Sequence, residues 1–310
     1  MGGNNDSIVT EFILLGLSQS PPVKITLFVL FLIIYLVTVV GNGLLILLTR
    51  VDSQLHTPMY FFLSNLSFID ICYTTSTVPQ MLIHCLSKKL SISLTRCFTQ
   101  MYISLFLGMS ECLLLAVMAY DRWVAICKPL LYTLIMNKRV CSCLAAITWS
   151  TAFLLTTVPS LTMQAHLCGS NVVNHFVCEI QAMLKPACSD THNNQIMMFA
   201  TSILTLLMPF AFILITYTHI GVAVLRIRSA SGRIKAFSTC ASHLTVVVIF
   251  YGTDIFMYLG PQSKSSSDQG KVIGVFYGIV TPLLNPLICS LRNKDVKGAL
   301  RKLAGRKSYT

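Results

Sequence analysis

Apolar residues dominate seven long stretches of the chain, at about 25–48, 59–84, 98–126, 140–162, 195–225, 237–260 and 272–291. A helix crossing a bilayer needs about 20 mostly apolar residues, so each stretch predicts one membrane span. The third and fifth are longer than a bilayer requires and are expected to tilt or to project beyond it. Pro79, Pro159, Pro209, Pro282 and Pro286 fall inside these stretches. Such prolines would break a helix in water but are tolerated inside a membrane bundle. The polar segment 1–24 is read as an irregular outer terminus without a basic leader region, and 292–310 as an inner tail. Val296, Leu300 and Leu303 punctuate that basic tail at helical spacing, which predicts a short amphipathic helix on the inner leaflet.

Composition agrees with the pattern. Of the 310 residues, 54% are hydrophobic and only 11% charged, against about 25% charged in a soluble domain. The net charge of +12 suggests nucleic acid only if its distribution is ignored, because the basic residues sit between apolar stretches. Sixteen of the 23 Lys and Arg fall after spans one, three, five and seven, and seven fall in the alternate segments. Positive charge is retained on the cytoplasmic side, so the C-terminus is expected inside and the N-terminus outside, in a multi-pass plasma-membrane protein. Asn5-Asp6-Ser7 is then an outward glycosylation sequon, whereas Asn65-Leu66-Ser67 fits the same pattern within a span, out of reach of modification. Of twelve cysteines, Cys72, Cys85, Cys112 and Cys289 lie in apolar stretches, where a thiol behaves as a small hydrophobe. Cys97, Cys168, Cys178 and Cys188 lie outside such stretches on the oxidising side. Four cysteines allow three pairings, and spacing does not choose among them.

Several motifs fall in a fixed order. Gly41-Asn42 lies in span one, Leu55-His56-Thr57-Pro58-Met59-Tyr60 before span two, and Leu63-Ser64 and Asp70 within it. Met118-Ala119-Tyr120-Asp121-Arg122 ends span three, Lys235-Ala236-Phe237-Ser238-Thr239-Cys240 opens span six, and Pro282-Leu283-Leu284-Asn285-Pro286-Leu287-Ile288 closes span seven. Together these resemble the rhodopsin-class (class A) G-protein-coupled receptors, and specifically the olfactory receptor family, over the whole chain. The resemblance implies an all-α seven-transmembrane bundle. It implies an odorant receptor that binds small volatile molecules and activates an olfactory-type stimulatory G protein to raise cyclic AMP. It also implies disulfides Cys97–Cys178 and Cys168–Cys188. The family's pattern is broken at Trp123, where Tyr is usual, and at Cys289, where Tyr is usual and its hydroxyl serves activation.

Intramembrane charges are costly and mark function. Asp121 and Arg122 are expected to form the ion pair that a G protein competes for. Asp70 and Glu111, with Asn42 and Asn285 near them by resemblance, form a candidate sodium site, since paired carboxylates and amide oxygens suit a hard cation. The ligand pocket is expected from Ser104, Leu105, Gly108 and Met109 on span three and Thr201, Ser202 and Thr205 on span five. Tyr251, Asp254 and Tyr258 on span six complete it, sharing one helix face. Asp254 stands where the family usually has a small or apolar residue. A buried carboxylate there would favour ligands with a cationic or donor group, unless it is bonded internally to Thr253, Tyr258 or a span-five threonine.

Other readings are weaker. His84, His219 and His243 are single histidines of structural character, and a metal site at His166, Cys168 and Cys178 competes with the disulfides for the same sulfurs. No phosphate loop or catalytic constellation stands out, so an enzyme is not expected. A channel or transporter lacks a visible repeat and a chain of charges across several spans. A retinal protein would need a lysine deep in span seven, whereas Lys271 is at its mouth. A peptide or hormone receptor fits poorly with a small apolar pocket, and a non-olfactory or orphan class A receptor is the nearest alternative.

Overall fold

The computed structural model describes residues 10–87, 90–162, 171–179, 192–259, 266–291 and 294–306. Asn5, Cys168 and Cys188 lie outside the described residues, as do the side chains of Tyr258, Lys235 and Cys289.

Seven long helices appear among the described residues, one on each predicted span. They are α1 (Pro21–Val51), α2 (Pro58–Leu86), α3 (Leu94–Cys127) and α4 (Lys138–Thr162). The helix α5 comprises His192–Ser202, a π-helical turn at Ile203–Leu207, and Met208–Leu225. After α6 (Ala230–Leu259), α7 comprises Ser266–Val275, a second π-helical turn at Phe276–Val280, and Thr281–Leu291. A shorter α8 (Lys294–Arg306) follows. Proline fixes the starts of α1 and α2, because Pro21 and Pro58 occupy first-turn positions where a missing N–H costs nothing. Among the described residues five helices are long and apolar enough to cross a membrane, with Cys240–Phe256 a shorter apolar segment. The helix α2 is more polar, but its Ser67, Asp70, Thr74 and Thr77 are all buried against neighbouring helices.

The distribution of residues is the reverse of a soluble protein's. Leu30, Ile33, Val40 and Leu47 on α1 and Phe153 and Leu154 on α4 are exposed, while Asn42, Asp70, Glu111, Asp121 and Asn285 are buried. Only a lipid-facing bundle accommodates both. Asn65, within the second sequon, ties helices together: its Oδ1 accepts from the Trp149 indole at 3.2 Å. The core runs along α2, α3 and α6, from Leu63, Leu66 and Ile69 through Leu114, Leu115 and Met118 to Val246, Val247 and Phe250.

Residues 10–20, ahead of α1, are more ordered than the polarity of the segment suggests. Glu11–Leu14 forms strand β1, which pairs antiparallel with β2 (Ser91–Ser93) and parallel with β3 (Val172–Val173). Phe12 and Leu14 alternate inward and are fully buried, packing with Ile92, Cys97, Val173 and Cys178. Two apolar residues at period two are too weak a signal to distinguish from loop, and the partners that stabilise them lie far along the chain. Gly16, at φ 70°, turns the chain from this sheet toward α1. At the opposite end α8 buries Val296 and Ala299, with Leu300 and Leu303 against the same core. Lys302 Nζ reaches Asp52 at 3.2 Å and Gln54 Oε1 at 3.1 Å, clasping α8 to the turn after α1. The Gln54 amide, and then Lys302, hold the Asp52 carboxyl below the usual carboxylate range.

Candidate ligand cavity and signalling network

At the sheet-covered end, Cys97 of α3 is bonded to Cys178 of the long loop between α4 and α5, with Cα atoms 5.4 Å apart. Gln100, one turn along α3, accepts from the Cys178 amide at 3.2 Å and donates to the Ser76 carbonyl of α2 at 3.0 Å. The loop is thereby fixed over the bundle at both a sulfur and an amide. Phe176 packs where a side chain at Gly274 would stand, so the loop also closes onto α7.

Beneath this loop lies a cavity of about 90 Å³. Seven residues named from the sequence line it: Ser104, Leu105, Gly108 and Met109 from α3, Ser202 and Thr205 from α5, and Asp254 from α6. Tyr73 and Thr77 of α2, Tyr277 of α7 and Glu179 of the loop line it too. The two π-helical turns carry Thr205 and Tyr277, and such bulges re-aim side chains where a regular helix would not. Gly108 has a specific reason to be glycine: a Cβ there would collide with the Tyr277 hydroxyl.

Two expected pocket residues are placed elsewhere. Thr201 gives its hydroxyl to the Met197 carbonyl at 2.8 Å and does not line the cavity. It lies one turn from Thr205 along α5, and the Thr205 hydroxyl donates to its carbonyl at 2.8 Å. Tyr251 is fully buried below the cavity, stacked on Phe210 at 5.1 Å, and donates to the Cys112 carbonyl at 2.8 Å. The shared helix face of Tyr251 and Asp254 is real, but a one-turn rise separates lining from floor.

Asp254 is 4% exposed. Its Oδ2 lies 4.0 Å from the Cys112 thiol, and its Oδ1 has no hydrogen-bond partner among the described residues. None of the internal bonds expected from Thr253 forms, because the Thr253 hydroxyl returns to the Ile249 and Phe250 carbonyls of its own helix. Glu179 faces His175 at 3.6 Å, and burial pushes its carboxyl up to about 8. Glu179 was not signalled by the sequence except through its place beside Cys178.

One layer deeper, the Asn285 amide donates to Asp70 Oδ1 and Oδ2 at 3.1 and 3.2 Å and to Glu111 Oε1 at 3.2 Å. The Asn42 amide donates to the Thr38 and Pro282 carbonyls, bracing α1 against α7. At the far end Asp121 meets Arg122 at 3.6 Å and accepts the Tyr132 hydroxyl at 2.8 Å. Tyr132 begins a single helical turn, Tyr132–Ile135, in the loop after α3. Between these layers the Tyr217 hydroxyl and His243 Nδ1, on α5 and α6, are 2.6 Å apart. Lys128 sits 4.9 Å over the Trp123 ring, so the tryptophan at the usual tyrosine position takes a cation on its face.

A covered cavity at one end of seven helices, a buried acid–amide cluster at mid-depth and an Asp-Arg pair at the other end define a seven-helix membrane receptor. The family model described as olfactory receptor matches residues 31–307. The chain is 55% identical over 303 residues to human olfactory receptor 13H1, covering 98% of each. It is 52% identical over 308 residues to human olfactory receptor 2G3, covering 99% of this chain and all of the relative. It is also 50% identical over 309 residues to the dog olfactory receptor-like protein OLF3, covering 99% and 97%. The chain therefore belongs to the olfactory receptor family, the odorant-responsive G-protein-coupled receptors, and is a receptor embedded in the membrane by multiple helices.

Proposed function

We propose that the chain lies in the plasma membrane with its disulfide end outside and its Asp-Arg end in the cytoplasm. There it takes small volatile molecules into the cavity under the loop and activates an olfactory-type stimulatory G protein to raise cyclic AMP. The observation that carries this reading is the adjacency of cavity and floor: Asp254 lines the cavity, and Tyr251, one turn deeper, bonds α6 to α3 at Cys112. A ligand against Asp254 bears on the contact that sets the spacing of these helices. From there the Asn285 cluster and the Tyr217–His243 contact continue to Asp121 and Arg122. The bias of basic residues toward the Asp-Arg end supports the orientation, and the Lys and Arg of α8 support its lying along an anionic inner leaflet. Asn5 is then an outward glycosylation acceptor, and Cys168 and Cys188 a second bridge within the loop.

The central cluster also fits a sodium ion. Two buried carboxyls converge on one amide, and Asn285 Oδ1 has no partner among the described residues. Asp70, Glu111 and Asn285 would hold the ion, which would supply charge neutralisation between the two acids.

The reading is tested with a cyclic-AMP reporter in cells that display the receptor, challenged with a broad odorant panel with and without the olfactory stimulatory G protein. Responses that need that G protein support it. Silence across the panel despite surface display contradicts it.

A further inference from the structure

The buried carboxyls of this protein fall into two kinds. Asp70 receives both of its bonds from Asn285, and Asp121 has Tyr132 and Arg122. Asp254 is equally buried, yet one oxygen has no partner among the described residues and the other meets only a thiol at 4.0 Å. A thiol is a weak donor. Leaving a buried acceptor without a partner costs free energy that a bound donor would recover. Asp254 also lines the cavity, where a ligand would find it.

The rest of the lining has the same sense. Glu179 brings a second carboxyl from the loop side, and no Lys or Arg lines the cavity among the described residues. Leu105, Met109 and Leu206 supply apolar wall between the polar groups. The cavity thus offers an acidic wall, an acidic cover and an apolar flank, in a volume of about 90 Å³ that suits a short chain. The complement is a small cation with several donors and a hydrocarbon tail.

We propose that the ligands of this receptor are short aliphatic amines bound as ammonium ions, with Asp254 as the counter-charge and Glu179 as a second acidic contact. This assignment rests on the cavity being the odorant site, but not on which G protein follows. An ammonium donates up to three charge-assisted hydrogen bonds to such acceptors, whereas the isosteric alcohol donates one neutral bond.

The test uses the full-length receptor in lipid nanodiscs, with hexylamine, hexan-1-ol and hexanal as probes, read by thermal shift and in parallel by the cyclic-AMP reporter. Hexylamine is expected to act at concentrations at least about tenfold lower than hexan-1-ol, a difference of about 1.4 kcal/mol. Asp254→Asn is expected to abolish that preference, Asp254→Glu to retain part of it, and Glu179→Gln to reduce it. Equal potency of amine and alcohol on the wild type, or no amine shift at all, overturns the proposal. So does an Asp254→Asn receptor that keeps the preference. The wild-type ratio decides even where a variant fails to fold. Amine binding without cyclic AMP leaves the proposal standing and removes the coupling reading, whereas cyclic AMP from alcohol or aldehyde alone does the reverse.

Discussion

The hydroxyl of Tyr251 donates to the main-chain carbonyl of Cys112 at 2.8 Å, joining α6 to α3 directly under the ligand cavity. Both groups are buried, so the bond's loss is not compensated by water. Tyr251→Phe keeps the ring on Phe210 and removes only the donor. It is expected to cost about 1–2 kcal/mol of folded-state stability, from the lost bond and the orphaned carbonyl. The melting temperature of the purified receptor should fall by several degrees, and basal cyclic AMP should rise as α6 is freed. An unchanged melting temperature with unchanged basal signal would show that the contact carries neither load.

Gly108 and Tyr277 make a second testable pair. A methyl group at position 108 collides with the Tyr277 hydroxyl, so Gly108→Ala should reduce ligand potency by displacing a cavity wall. Removing that oxygen makes room, so adding Tyr277→Phe should restore much of the loss. Dose–response curves for the two single variants and the double variant form the cycle. Additive losses would place the effect of Gly108→Ala elsewhere.

The Asn285 amide donates to two acids at once. Asn285→Ala leaves Asp70 and Glu111 facing each other without it and is expected to cost about 3 kcal/mol, seen as loss of surface-displayed receptor. Glu111→Gln in the same chain replaces one of the two acids with an amide, and should recover part of the display. Flow cytometry of tagged receptor measures both. If sodium binds here, raising sodium should stabilise the wild type and leave Asp70→Asn unmoved.

Glu179 predicts a pH effect from the outer side. Its carboxyl is raised from 4.5 to about 8 by burial, so the folded chain holds this proton more tightly than the unfolded chain. Stability from this group is present below the unfolded value and is lost as pH rises toward about 8. The melting temperature should therefore decline between pH 6 and 9 more steeply in the wild type than in Glu179→Gln. Over pH 7–9 an alkylammonium remains charged, by analogy with a lysine of pKa about 10.4, while Glu179 gains charge. Amine potency should then rise with outside pH, and Glu179→Gln should flatten the rise. Among the described residues His175 lies 3.6 Å from Glu179, and Asp254 shares the cavity with it.

Much of the fold was legible because membrane insertion writes itself into local sequence. Seven apolar stretches need no knowledge of contacts, and the motifs carry their own order. Most of the cavity was legible for the same reason: Ser104, Gly108, Thr205 and Asp254 lie at countable distances from those motifs along regular helices. What was hidden depends on distant partners. Phe12 and Leu14 form a strand only against residues 91–93 and 172–173, and Tyr132 matters only because its loop folds back on Asp121. Thr201 and Tyr251 were displaced from the cavity by helix turns, which counting resolves no better than one face. The bond from Asn42 to the main chain of α7 at Pro282 was likewise hidden, since its partner lies 240 residues away.

The central claim is that the cavity under the loop is the site from which ligands drive G-protein activation. Its most direct test is odorant-evoked cyclic AMP in cells displaying either the wild type or Ser104→Trp, which fills the cavity from α3, each with and without the olfactory stimulatory G protein. The account predicts a response that requires both an open cavity and that G protein. A full response from displayed Ser104→Trp receptor, or one undiminished without the G protein, would contradict it.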